Sequence, residues 1–196
     1  MFILIGLNLL VYLAEQFLKN TPIIIYLSMI PLAVIREGWI WQFVTYMFVH
    51  DPRSISHLLF NMFALFIFGR QVEYHMGSRE FLLYYLLTGI LAGLFSFLAY
   101  LFTGYLWITL MGASGAIFAV QLAFAALFPS SIIYIWGILP LRAPVMVLGF
   151  TALEIILMFT GLGGNVAHIT HLAGFAFGWL YFVVRFGINP WRAMRR

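Results

Sequence analysis

The chain has 196 residues, of which 64% are hydrophobic and 8% are charged, and its mean hydropathy is +1.04. Soluble domains are roughly 45–50% apolar and about 25% charged, so the composition excludes a soluble domain and predicts a polytopic membrane protein. The net charge of +4 comes from basic residues scattered at predicted helix ends, which argues against a nucleic-acid partner, and the lack of cysteine excludes disulfides and cysteine-ligated metals.

Six apolar segments predict six membrane-spanning helices in a single domain covering residues 1–196. We place these spans at residues 2–18, 57–75, 81–102, 114–128, 144–160 and 166–186. The first span is shorter than the roughly 20 residues that a bilayer requires, and it has neither a basic start nor a cleavage site of a signal peptide. We therefore expect a spanning helix, and the sequence leaves open whether a cytosolic N-terminal part is missing from this core.

The distribution of basic residues predicts the orientation in the membrane. The even-numbered loops and the C-terminal tail hold Arg70, Arg79, Arg142, Arg185, Arg192, Arg195 and Arg196, whereas the odd-numbered loops hold Lys19, Arg36 and Arg53. Because cytosolic loops carry the excess of lysine and arginine, we expect both termini in the cytosol and loops one, three and five on the outer side.

The long first loop, residues 20–56, is apolar but is interrupted by Pro22 and Pro31, so it cannot cross the membrane as a helix. Trp39 and Trp41 suit the membrane–water interface. We expect an amphipathic loop lying partly in one leaflet, and the sequence leaves open whether it only anchors the protein or also handles a substrate.

The fourth span is too short to cross the bilayer. Fifteen residues give about 23 Å of helix, against a hydrocarbon core of roughly 30 Å. If this span ends at Pro129, its first residue, Ser114, lies several ångströms below the outer surface. The preceding segment contains Gly104 and Gly112 and is predicted to be irregular. Irregular backbone at that depth must be enclosed by protein or line a water-filled cavity, so we expect a recess ringed by other helices.

Gly112-Ala113-Ser114-Gly115 places a serine between small residues where irregular backbone becomes helix. Such a turn can present a nucleophile, because glycine leaves space for an approaching carbonyl and the serine N–H can face the developing oxyanion. A packing turn is the alternative for these four residues taken alone. A nucleophilic serine also requires a base that accepts its proton.

Two of the five histidines are candidates for that base. His168 and His171 open the sixth span, on the same side of the membrane as Ser114, whereas His75 is expected to be solvated and His50 to make structural hydrogen bonds in the first loop. An ionisable residue inside the membrane is a functional candidate by default.

Helix packing favours His171 as the base. Small residues that allow close helix approach lie on both helices: Gly174 and Gly178 after the histidine, and Gly115, Ala119 and Ala123 in the fourth span. Docking these two stripes brings His171 to the level of Ser114. His168 lies one turn nearer water and is expected to have a secondary role.

His57 and Asn61 lie one turn apart in the second span, near the same membrane boundary. Both side chains can donate hydrogen bonds without adding a net charge, so with the N–H of Ser114 they would form an oxyanion hole. The alternative is that Asn61 only bonds the irregular third loop.

A carboxylate behind the histidine is hard to identify. Glu154, in the fifth span, could orient a histidine, but a glutamate that is satisfied locally or directed towards the membrane surface is the favoured interpretation. We therefore predict a Ser–His dyad that needs no cofactor. Metal chemistry is disfavoured because His57, His168 and His171 have no carboxylate or thiolate at ligand spacing.

Taken together, these motifs closely resemble the rhomboid family of intramembrane serine proteases, across essentially the whole six-helix core. The residues that carry the resemblance are His57-Leu-Leu-Phe-Asn61, Gly112-Ala-Ser114-Gly115, His171-Leu-Ala-Gly174-Phe-Ala-Phe-Gly178, and the stretch Gly69 to Glu73 with Gly77. The resemblance implies an all-α six-transmembrane-helix bundle with a membrane-dipping first loop and a short, recessed fourth helix. It also implies a Ser114–His171 dyad, an oxyanion site from Asn61, His57 and the Ser114 amide, with Gly112 beside it, and substrate access past the fifth helix and fifth loop.

The chain also departs from the family pattern. Gln42 follows Trp41 where similar rhomboids often have arginine, the spacing between His50 and His57 includes Asp51-Pro52, and there is no seventh span. The role of an arginine at position 42 does not transfer.

The function predicted from the sequence is hydrolysis of a peptide bond in or near the transmembrane segment of single-span or polytopic membrane-protein substrates. The expected location is the inner membrane of a prokaryotic cell, with the site open to the outer side. Loop five (Gly161, Leu162, Gly163, Gly164, Asn165) is either a lid or a plain tight connection. The alternative functions are a non-catalytic binder of membrane helices and a small transporter.

Overall fold

A computed structural model describes residues 1–18, 21–135, 137–161 and 167–195. The described residues are mostly helical, with one two-stranded hairpin. The elements are α1 (Phe2–Phe17), α2 (Ile23–Leu27), α3 (Pro31–Glu37), α4 (Gln42–Thr45) followed by a 3₁₀ turn (Tyr46–Phe48), α5 (Ile55–Ala64), a π-helical turn (Leu65–Gly69), α6 (Arg70–Met76), α7 (Ser78–Thr103), α8 (Ser114–Leu127), β1 (Ile132–Ile135), β2 (Leu139–Arg142), α9 (Ala143–Thr160), α10 (His168–Phe186) and α11 (Pro190–Ala193).

Six apolar helical segments coincide with the six predicted spans, to within three residues at every described end. Four of them are long and apolar enough to cross a membrane: the continuous helix Ile55–Met76, α7, α9 and α10. The other two, α1 and α8, are shorter apolar helices. The predicted start of the sixth span, residue 166, lies outside the described residues, and the count of six spans stays a prediction.

α8 is the enclosed centre of the bundle. Eleven of its 14 residues are buried, and it packs against α7, α9 and α10. Fourteen residues give about 21 Å of helix, less than the roughly 30 Å of a hydrocarbon core. The prediction of a short fourth helix walled in by other helices is therefore confirmed, while its depth below the membrane surface stays a prediction.

Small residues allow α8 and α10 to pack in direct backbone contact. A Cβ atom built on Gly174 would overlap the carbonyl oxygen of Gly115, and one on Gly178 would lie 2.9 Å from the Cβ of Ala119. The predicted docking of the two small-residue stripes is observed. α7 joins the same cluster through the Tyr84 hydroxyl, which donates to the carbonyl oxygen of Ala119 at 2.6 Å.

The first loop folds into short helices that support the irregular segment before α8. Met29 and Leu110 exchange backbone hydrogen bonds of 3.0 and 2.9 Å. Gln42 is fully buried: its Oε1 accepts from the N–H of Ile30 at 3.0 Å, and its Nε2 donates to the carbonyl oxygens of Ile25 and Tyr26 at 2.9 and 3.2 Å. Gln42 therefore ties the loop together.

The antiparallel hairpin β1–β2 was not expected in an all-α fold. No element is predicted from sequence between the fourth and fifth spans, yet Ile132 pairs with Arg142 and Ile135 with Leu139. β-branched residues favour the extended strand, and Gly137, with φ 72°, provides the turn conformation. The hairpin adjoins the start of α9 and leaves the helical architecture of the bundle unchanged.

Candidate active site

Ser114 is the first residue of α8 and is half-buried at the end of the irregular segment. The segment approaches it through Gly112, whose φ of 115° is rarely adopted by other residues and whose N–H donates to the Tyr46 carbonyl oxygen at 2.9 Å. The first-turn amides of a helix have no acceptor within that helix, so the N–H of Ser114 is available at the positive end of the α8 dipole. This is a favourable position for a developing oxyanion.

His171 is in hydrogen-bonding contact with Ser114. Its Nε2 lies 2.6 Å from the Ser114 Oγ, and the side chain is buried at the start of α10. The Phe118 ring stacks on the imidazole with a centroid distance of 4.7 Å and an interplanar angle of 7°. The predicted proximity of serine and histidine is observed, and their catalytic roles stay a prediction.

Glu154 of α9 reaches both histidines at the start of α10. Its Oε2 lies 2.5 Å from Nδ1 of His168 and 3.0 Å from Nδ1 of His171. The first contact is a hydrogen bond, whereas the second is close but not aligned as one. The alternative that Glu154 orients a histidine, which the sequence left open but did not favour, agrees with this geometry, because contact between α9 and α10 brings together residues 17 apart in sequence (171 − 154).

The expectation that these histidines have no carboxylate at metal-ligand spacing is also wrong, because the contact between α9 and α10 brings Glu154 to them. Glu154, His168 and His171 offer ligand-type atoms within 4.8 Å of one another. The Glu154 Oε2 lies 2.5 Å from the His168 Nδ1 and 3.0 Å from the His171 Nδ1, and the shorter contact is a hydrogen bond that satisfies the carboxylate.

His57 and Asn61 lie against Gly112, two residues before Ser114. The backbone N–H of Asp51 donates to Nδ1 of His57 at 3.3 Å, so the proton lies on Nε2, which becomes a donor directed towards Gly112. The Asn61 Nδ2 donates to the carbonyl oxygen of His57 at 3.0 Å and retains a second hydrogen. Both predicted oxyanion donors therefore border the backbone that precedes Ser114.

His50 and His168 surround the site without contacting Ser114 in the described structure. The His50 ring is fully buried, 5.0 Å from the His57 ring, with its Nδ1 3.4 Å from the Phe48 carbonyl oxygen. Burial, together with the neighbouring imidazole, lowers the pKa of His50 from 6.5 to about 4. The structural role predicted for His50 and the secondary role predicted for His168 stay predictions.

Phe118 was not predicted from the sequence as a site residue, and Glu154 was given too little weight. Phe118 lies one turn after Ser114 on the same face of α8, and this spacing was a usable signal for a side chain that covers the base. Glu154 lies six residues, nearly two turns, before the end of α9, and nothing in its own segment indicates which neighbour it faces. Of the predicted lid, residues 162–165 lie outside the described residues.

Comparison with known proteins gives a consistent result. The Rhomboid domain family model matches residues 37–188. Rhomboid protease GlpG of Haemophilus influenzae is 34% identical over 91 residues, which is 46% of this chain and 46% of the relative. Rhomboid protease GluP of Bacillus subtilis is 37% identical over 99 residues, which is 50% of this chain and 18% of the relative.

A plant relative extends the comparison. Rhomboid-like protein 11, chloroplastic, of Arabidopsis thaliana is 35% identical over 125 residues, 61% of this chain and 39% of the relative. The chain thus covers less than half the length of each of these three relatives. Ser114, His171, His57 and Asn61 all lie inside the matched residues 37–188.

Proposed function

Because the chain belongs to the rhomboid family of multi-pass membrane proteins, we propose that it is an intramembrane serine endopeptidase that uses Ser114 as the nucleophile and His171 as the general base. The observation that supports this function is the 2.6 Å contact between the Ser114 Oγ and the His171 Nε2 in a site enclosed by helices. The two named relatives that are described as rhomboid proteases support the same activity.

The proposed chemistry is acyl transfer in two stages. The Ser114 Oγ attacks the scissile carbonyl carbon while His171 Nε2 takes the hydroxyl proton, and the carbonyl electron pair moves onto oxygen. His171 then gives the proton to the leaving amine as the C–N bond breaks, and the acyl group stays bound to the Ser114 Oγ. In the second stage a water molecule gives a proton to His171 and attacks the acyl carbon, and His171 returns the proton to the Ser114 Oγ as the acyl group leaves.

The oxyanion is stabilised by donors on one side of Ser114: its own N–H, the Nε2–H of His57 and the free hydrogen of the Asn61 amide. Loss of one such donor typically costs about 2.7–4 kcal/mol of transition-state stabilisation. The α8 dipole adds to the same field, because its positive end is at Ser114.

The substrate class follows from the position of the site within apolar helices. A membrane-spanning helix has all its backbone amides satisfied, so the substrate must unwind locally before Ser114 can reach a carbonyl. We therefore propose single-span or polytopic membrane proteins whose helices are weakened by small residues, glycine or proline near the cleaved bond. The proposed orientation places both termini in the cytosol and the site towards the outer side of a prokaryotic inner membrane.

A non-catalytic binder of membrane helices would need neither a nucleophile nor a base, yet Ser114 and His171 are both present and in contact. A small transporter would place its polar groups near the bilayer midplane. Here the polar groups of the site lie at the end of the irregular segment and near the starts of α5 and α10.

The direct test is cleavage of a single-span reporter in detergent by wild type and by Ser114→Ala, His171→Ala and His168→Ala variants. We expect no cleavage by Ser114→Ala or His171→Ala, and reduced but measurable cleavage by His168→Ala. A fluorophosphonate probe is expected to label wild type at Ser114. Undiminished cleavage by Ser114→Ala would end the proposal, and loss restricted to His168→Ala would reassign the base.

A further inference from the structure

Glu154 is a carboxylate within an apolar helix, and its position is defined by α10. The buried residues of α9 lie in its first turns (Ala143, Pro144, Met146, Val147). Beyond them Glu154 is directed into the bundle with a side-chain exposure of only 14%. An ionised group there is costly unless it has partners, and those the structure describes are His168 and His171.

The contacts of His171 select one tautomer of its ring. Nε2 can accept the Ser114 proton only if it carries none, so the proton of the neutral imidazole must lie on Nδ1. The group facing Nδ1 is the Glu154 Oε2, at 3.0 Å. An acceptor at that position favours the productive tautomer over the one in which Nε2 is protonated.

The same contact matters more once the reaction begins. When the Ser114 proton moves to Nε2, His171 becomes an imidazolium, and the negative charge of Glu154 lies against it. Catalytic hydrogen bonds are often poorly aligned before the substrate binds and improve in the complex. His168 donates to the same oxygen at 2.5 Å and fixes the carboxylate, and among the described residues His57 also interacts electrostatically with His171.

We propose that Glu154 is the positioning residue of this site, so that the reactive group is a Ser114–His171–Glu154 triad built from α8, α10 and α9. The carboxylate stays ionised throughout: it receives no proton, and it holds the Nδ1–H of His171 while Nε2 exchanges the proton with Ser114 Oγ. This inference rests on the proposed protease function and concerns the activation of its nucleophile.

The test compares Glu154→Gln with Glu80→Gln. Glu80 is a matched control because its carboxylate also binds α10, through the Tyr181 hydroxyl at 2.6 Å and Arg185 at 2.8 Å, but far from Ser114. The amide of Glu154→Gln can present an NH₂ to Nδ1 and so favour the wrong tautomer. We expect about a 100-fold fall in kcat with little change in KM, and a similar fall in the rate at which a fluorophosphonate labels Ser114. Glu80→Gln is expected to keep both rates.

A structural role would give a different result. If Glu154 only docks α9, Glu154→Gln lowers the melting temperature and changes KM but leaves the labelling rate of Ser114 intact, and the inference is overturned. Because Glu154 acts through His171, adding Glu154→Gln to His171→Ala is expected to cause no further loss of labelling, whereas an additive loss contradicts the inference.

Two further outcomes keep the test decisive. If Glu154→Gln does not fold, Glu154→Asp keeps the charge but shortens the side chain, and an intermediate labelling rate supports the triad while a wild-type rate overturns it. A wild-type protein that is not labelled at Ser114 would instead refute the protease proposal, so the two failures are distinguishable.

Discussion

At Gly112, backbone conformation and side-chain packing impose the same requirement. The φ of 115° strains any residue with a side chain, and a Cβ there would lie 2.8 Å from the His57 Nε2 and 3.8 Å from the Asn61 Nδ2. The missing side chain therefore leaves the space in which the substrate oxygen would meet its donors. If the chain is the proposed protease, glycine is needed at this position for the chemistry as well as for the turn.

The change Gly112→Ala tests this double requirement. We expect a cost of about 1–3 kcal/mol in stability and at least a 100-fold loss of reporter cleavage, because His57 must move away from the oxyanion position. The measurements are the melting temperature in detergent and kcat for the reporter. Gly104→Ala is the control: its φ is 79°, but a Cβ there meets nothing within 4 Å, so its cleavage rate should stay near wild type. Equal losses of cleavage in Gly112→Ala and Gly104→Ala would show that glycine at position 112 only avoids backbone strain.

The residues of the site differ in how far their chemistry alone identifies them. Ser114, His171, His57 and Asn61 could be predicted because each carries a reactive or donating group beside small residues or at one-turn spacing. Glu154 could not be placed, because its role depends on the rotation of α9 against α10, which no local pattern specifies. Its spacing from Ser114 and His171 along the chain carries no signal.

At the level of elements, the contact between α8 and α10 determines the distance from serine to histidine. The helices meet at Gly115 and Gly174, and a hydrogen bond of 2.7 Å between the hydroxyls of Ser96 and Thr170 ties α7 to the same end of α10. Because the Ser114 Oγ and the His171 Nε2 each lie within one turn of this contact, an increase in helix separation is transmitted directly to the reactive pair.

The change Gly174→Ala is expected to separate these two helices. The new methyl group would overlap the Gly115 carbonyl oxygen, and backbone cannot move aside as a flexible side chain can. We expect a loss of about 1–3 kcal/mol in stability and at least a tenfold slower labelling of Ser114. Gly149→Ala in α9 is the matched control, since nothing lies within 4 Å of its Cβ position and alanine favours helix. If Gly174→Ala is labelled at Ser114 at the wild-type rate, the contact between α8 and α10 does not control the distance between Ser114 and His171.

Helices that are set by the length of an apolar segment could be predicted from the sequence. Elements that are set by local backbone geometry could not. The ends of the six apolar segments follow from proline, glycine and charged residues at their boundaries, as at Gly104, which ends α7 in the left-handed conformation. The π-helical turn Leu65–Gly69 and the hairpin β1–β2 were missed, because neither changes the apolar length of a segment: one is a local change of helix type, and the other follows from β-branched residues and the turn at Gly137. Gln42 was noted only as a departure, although its three hydrogen bonds organise the first loop.

The molecule as a whole is apolar outside and polar at selected points inside. Large hydrophobic side chains are exposed along α1, α7, α9 and α10, as expected for helices that face lipid. The buried polar side chains of the site lie near the first loop, the start of α8 and the start of α10, while the pair Glu80–Arg185 lies at the other end of α7 and α10. This asymmetry is what a site opening towards one membrane face requires.

His50 makes the stability of this arrangement depend on pH. Its pKa is lowered to about 4 because the ring is buried beside His57, so the folded state resists protonation that the unfolded chain accepts near 6.5. Stability is therefore complete above about pH 6.5 and falls as the pH decreases towards 4, by up to ~3 kcal/mol. We expect the melting temperature of wild type in detergent to fall more steeply between pH 7 and pH 4.5 than that of His50→Gln, which has no proton to gain. Parallel curves of melting temperature against pH for the two proteins would show that His50 is protonated equally easily in the folded and the unfolded state. The buried junction between the first loop and α5 would then not limit the acid stability of the fold.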